Sequence, residues 1–141
     1  MTAAARGIVW FNRFVLAGAA FVMTLIALRT LRDPIGSTRP LDIALQSATA
    51  VTVARVGFGG FPLGFAVALF GCLGATRRLL TGLFLVFTVV GTVTIARVQG
   101  LLIDGATAYN LGLLRPEITM LALSGAGIIL ELRRRRIHPS V

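Results

Sequence analysis

Residues 79–96 read LLTGLFLVFTVVGTVTIA, eighteen consecutive positions without a charged side chain, closed at once by Arg97. At 1.5 Å rise per residue a helix of that length covers about 27 Å, enough to cross the hydrocarbon core of a bilayer. Three more runs of the same character flank it, over about 11–28, 56–73 and 118–132. The last is short for a crossing unless its lead-in, Leu111 to Pro116, is also at membrane depth.

Composition points the same way. The 141 residues are 56% hydrophobic and 13% charged, and the mean hydropathy is +0.88. That excludes an ordinary soluble domain. The expectation is an all-α polytopic membrane protein, a single domain over 1–141 built as a four-transmembrane-helix bundle. The first run is read as a retained helix rather than a signal peptide. The run ends at Leu28-Arg29 with no small-x-small cleavage site directly before the charges, and Trp10 with Phe11 suits an interfacial anchor.

The first connection, Arg29 to Arg55, is longer than the others. Pro34 and Pro40 break any helix continuing from the first run, and 41–53 then has helix-forming character. It reads either as a short surface helix or as an early start of the second span.

All fourteen basic residues are Arg, and the net charge is +9. With four crossings, Arg6, Arg13, Arg77, Arg78 and Arg133 to Arg136 fall on one side, against Arg29, Arg32, Arg39, Arg55, Arg97 and Arg115 on the other. The margin of eight to six is reinforced by the run after the last span and by the short Arg77-Arg78 turn, so both termini are expected in the cytoplasm. The tail is read as topogenic, with attraction to anionic lipid, and no nucleic-acid partner is expected. The location expected is a bacterial inner membrane.

Four ionisable residues stand at or just past the ends of the runs: Arg55, Arg97, Asp104 and Glu117. Topology takes them all to the outer side. Charges at membrane depth are costly and mark candidate sites. Singly each has a plain structural explanation: the arginines snorkel, Asp104-Gly105 is a turn signal, and Glu117 after Pro116 suits a first helical turn. Their convergence from three segments makes them the candidate cluster, either for a small amphipathic ligand or lipid or for interhelical ion pairs.

The second run carries a seam of small residues, Gly57, Gly60, Gly64, Ala68 and Gly71, spaced by three and four. Such a seam allows close helix approach, either within the chain or in a homo-oligomer or with another membrane partner. Thr81, Thr88 and Thr92 share a face of the third run and read as packing residues.

Catalytic chemistry is poorly provided for. The only histidine, His138, lies beyond the terminal arginines, and Cys72 is the only cysteine. No metal cluster, disulfide or His-based triad can be assembled, and no cofactor is expected. An integral membrane enzyme using Asp104 or Glu117 as a proton acceptor stands behind a ligand-binding accessory protein and a structural subunit.

The order Arg55, Gly59-Gly60, Ala96-Arg97, Asp104-Gly105 and Glu117 resembles a family of small four-helix bacterial membrane proteins of unknown function, more loosely similar to the DoxX-like membrane proteins. The resemblance covers about residues 50–132. Ala96 replaces a Gly usual before the Arg, and Ala106-Thr107 stands where a Pro usually follows Asp-Gly. The resemblance implies a four-helix fold and the same four charges as site residues, and it brings no activity.

Overall fold

The computed structural model describes residues 2–137, so His138 lies outside the described residues. Every regular element among them is helical. α1 is Ala3–Arg32, α2 Pro34–Thr38, α3 Ala48–Ala54, α4 Phe61–Leu73, α5 Leu79–Ile103 and α6 Ala108–Ile137. A π-helical stretch, Arg55–Gly60, joins α3 to α4, and single 3-10 turns occupy Arg39–Leu41 and Thr76–Arg78. Four helices are long and apolar enough to cross a membrane: Ala3–Arg32, Ala48–Leu73, Thr76–Ile103 and Ala108–Ile137.

Each span reaches beyond its apolar run, because hydrogen bonding and capping set the ends of a helix, while hydropathy reports only its middle. α1 stops where Asp33 turns its carboxylate to the Gly36 N–H at 2.9 Å and opens α2 with Pro34 at its first position. α6 begins ten residues before Ile118, with the Thr107 hydroxyl accepting from the Asn110 N–H at 3.2 Å. Pro116 is therefore inside α6, and Glu117 sits in its third turn rather than its first. The Gly112 carbonyl loses the N–H that Pro116 lacks.

A separate surface helix over 41–53 does not form. Asp42 adopts a left-handed conformation at φ 56°, which ends the 3-10 turn, and 43–46 are irregular. Ser47 then caps the next helix through the Ala50 N–H at 3.1 Å. The second span thus begins early, at Ala48.

The chain divides into two compact units, one comprising 1–16 with 72–141 and the other 17–71. In the first, α5 and α6 form an antiparallel hairpin turned at Gly105, whose φ of +95° suits glycine. Its core holds Ala5, Val9, Leu16, Cys72, Leu79, Leu83 and Val86 together with the polar Asn12, Ser124, Glu131 and Arg134. A Cβ on Gly127 would stand 2.9 Å from Asn12 Oδ1 and 3.0 Å from Leu83 Cδ2, so α1, α5 and α6 meet at that bare position.

The second unit has a core of small residues, Ala19, Ala20, Ala27, Ala54 and Ala66, with Leu69, Thr30 and Thr38. The backbone of Gly59 lies close against Leu31, where a Cβ would come within 2.8 Å of Leu31 Cδ2. Outside these cores both units present large apolar side chains, among them Phe14, Phe61, Ile95 and Leu102, each more than two-thirds exposed.

Candidate functional site

Of the four expected site residues, Arg97, Asp104 and Glu117 belong to the first unit, and two of them pair. Arg97 and Glu117 meet across the α5–α6 hairpin: Arg97 Nε donates to Glu117 Oε1 at 2.8 Å and Nη2 reaches the same oxygen at 2.7 Å. Arg97 Nη1 donates to Asn110 Oδ1 at 3.2 Å. The hairpin geometry explains the triad, since Arg97 lies six residues before the end of α5 and α6 returns antiparallel past it. Glu117 Oε2 is buried and has no hydrogen-bond partner among the described residues.

Asp104 caps the end of α5, its N–H donating to the Gly100 carbonyl at 2.7 Å, and its side chain is exposed without an ion pair among the described residues. Arg55 belongs to the other compact unit, at the start of the π-helical stretch, and is exposed. π-helical turns inside α-helices recur at functional positions. Here the Phe61 N–H bonds back five residues to the Val56 carbonyl, and Pro62 supplies no N–H of its own.

A second charged group was not anticipated from the sequence. Glu131, fully buried, receives Arg134 Nη2 at 2.7 Å and Arg134 Nε at 3.0 Å. Arg135 Nε and Asn12 Nδ2 complete its shell at 3.1 and 3.2 Å. Arg135 Nη2 reaches on to the Arg77 carbonyl at 2.8 Å, so the turn before α5 is tied to the end of α6. The Arg13 guanidinium lies 5.7 Å above the Trp10 ring, within cation–π range. The signal available beforehand was slight: an Asn inside the first apolar run, and the only acid of the last one.

The seam, which runs from the π-helical stretch into α4, is exposed. Gly57, Gly60, Gly64, Ala68 and Gly71 are all exposed, while Ala54, Gly59, Ala66 and Leu69 take the buried positions. Cβ atoms at Gly57, Gly64 and Gly71 would meet nothing within 4 Å. Within the second unit the close helix approach is made by Gly59, against Leu31. A groove of about 470 Å³ lies over the Gly60–Gly64 part of the seam, lined by Val56, Gly60, Phe61, Gly64 and Phe65.

Another groove, of about 640 Å³, runs along α5 and α6 between Phe84, Phe87, Thr88, Thr92, Ile95 and Ile129. Thr92 bonds back to the Thr88 carbonyl at 2.9 Å, as a membrane helix hydroxyl commonly does. Neither groove is lined by Arg55, Arg97, Asp104 or Glu117. Among the described residues no group of three or more His, Cys, Asp or Glu side chains is placed to hold a metal.

No family model, curated protein or solved structure matches the chain.

Proposed function

We infer that the chain is a multi-pass membrane protein acting as a non-catalytic assembly subunit, with its buried charges tying helices together and the outward face of α4 receiving a helix of a partner in the membrane. The observation that carries this reading is the exposed seam Gly57, Gly60, Gly64, Ala68, Gly71 with its groove. Small residues let two helix backbones approach closely in lipid, where packing rather than the hydrophobic effect drives association.

Support for membrane insertion comes from the exposed surface. Side chains such as Phe14, Phe61 and Leu102 stand open over four long apolar helices, which water would penalise and hydrocarbon would not. Arg bookkeeping favours cytoplasmic termini, with Arg97 and Glu117 toward the outer face of a bacterial inner membrane. The charges fit the role of ties: Arg97 with Glu117 across α5 and α6, and Glu131 with Asn12 across α6 and α1.

A second reading has one specific observation in its favour. Glu117 Oε2, buried without a donor, offers an acceptor to a small ligand bearing a hydroxyl or amine. A ligand there would dock on the Arg97–Asn110–Glu117 triad, and Glu117→Gln would abolish its retention by the purified protein.

The subunit reading is tested by substituting the seam. Gly64→Leu meets open space in the single chain, so the fold is expected to survive while association is lost. Size analysis of mild-detergent extracts checks this. An unchanged assembly size for Gly64→Leu combined with Gly57→Leu would overturn the reading.

A further inference from the structure

We propose that the end of the first unit formed by the turn before α5 and the last turn of α6 is a docking surface for anionic phospholipid headgroups, with Arg77, Arg133 and Arg136 receiving the phosphate. The inference rests on the membrane reading above and is independent of the seam.

Eight arginines belong to this end: Arg6, Arg13, Arg77, Arg78 and Arg133 to Arg136. Among the described residues, the one Asp or Glu at this end is Glu131, and it is fully buried and taken up by Arg134, Arg135 and Asn12. The remaining acids of the unit, Asp104 and Glu117, lie toward the opposite end of the hairpin. α5 alone separates Asp104 from Arg78 by about 37 Å, several Debye lengths at physiological salt.

The internal bonds divide these arginines by role. Arg134 is 2% exposed and Arg135 is held by Glu131 and the Arg77 carbonyl. That strap fixes residue 77 beside the last turn of α6. Arg77, Arg133 and Arg136 are exposed and have no carboxylate within ion-pair distance among the described residues. Cations joined from two segments directly after an apolar span sit at the depth of lipid phosphates, and guanidinium groups bind phosphate in bidentate fashion. Exposed positive charge with no internal partner is complementary to an anionic headgroup and not to a zwitterionic one.

The test is native mass spectrometry of the full chain in detergent, supplied with equimolar dioleoyl phosphatidylglycerol and dioleoyl phosphatidylcholine. Phosphatidylglycerol adducts are expected to dominate. Arg77→Gln with Arg136→Gln should weaken them by roughly 25-fold, at about fivefold per surface arginine. Arg77→Lys with Arg136→Lys should keep most of the retention, and Arg115→Gln, at the opposite end of the hairpin, should keep all of it. Equal retention of both lipids, or an unchanged adduct in the double Gln variant, would overturn the proposal. So would displacement of the lipid by a short single-stranded oligonucleotide. Alkaline carbonate washing of membranes separates the two levels: a chain that washes off refutes membrane insertion itself, whereas an integral chain without preferential adducts refutes only the docking surface.

Discussion

Replacing Glu131 by Gln removes one charge from a fully buried polar cluster. The carboxylate now accepts four hydrogen bonds, two from Arg134, one from Arg135 and one from Asn12. A Gln amide keeps one acceptor oxygen and turns a donor toward the guanidinium of Arg134, which is 2% exposed. Breaking a buried pair from one side strands the other charge, which costs about 3–5 kcal/mol in protein interiors. Arg134 is within four residues of the end of α6, so partial escape toward headgroups brings the expected loss to about 3 kcal/mol. Reversible unfolding of the detergent-solubilised protein by sodium dodecyl sulfate measures it. Glu131→Gln combined with Arg134→Met removes both charges and should recover most of the loss, because an apolar pair of similar volume is often neutral in such a site. A loss below about 1 kcal/mol for the single variant, or a double variant no better than the single, would refute the assignment of Glu131 as the anchor of this end.

Four other outcomes can be checked. Gly127→Ala places a methyl 2.9 Å from Asn12 Oδ1 and 3.0 Å from Leu83, and should destabilise by about 1–3 kcal/mol in the same unfolding assay. Gly64→Ala should be neutral or slightly stabilising there, since glycine in a helix is about 1 kcal/mol less favourable than alanine. Arg97→Gln should cost less than Glu131→Gln, about 1–2 kcal/mol, because the Arg97 and Glu117 side chains are 22% and 14% exposed. In a Cys72→Ser background, Asp104→Cys should react with an impermeant maleimide on intact cells and Thr2→Cys should not; the reverse pattern would invert the orientation.

The four spans were legible because hydrophobic length alone reports a helix able to cross a bilayer, and residues 79–96 show this most plainly. Their ends were only partly so: the sequence left open an early start of the second span and a longer fourth one, and the starting points are set by the caps at Ser47 and Thr107, which hydropathy does not register. Of the candidate cluster, Arg97 and Glu117 are 20 residues apart and lie on adjacent antiparallel helices, a pairing that loop length makes accessible to inspection. Asn12 and Glu131 are 119 residues apart. Nothing local in either segment encodes that contact, although Glu131 is the only acid of the last apolar run. The spacing of the α4 glycines revealed a seam but not its direction. Which face turns outward depends on the π-helical stretch and on Gly59 meeting Leu31, both properties of tertiary packing.

Cysteine cross-linking across the α4 seam in native membranes bears most directly on the proposed role as an assembly subunit. In a Cys72→Ser chain, Gly64→Cys should give a discrete oxidised adduct, with a second copy or with one partner subunit. Phe70→Cys, exposed but turned about 120° from Gly64 on the helix, should not. Equal yields at the two positions, or none at Gly64, would contradict the account.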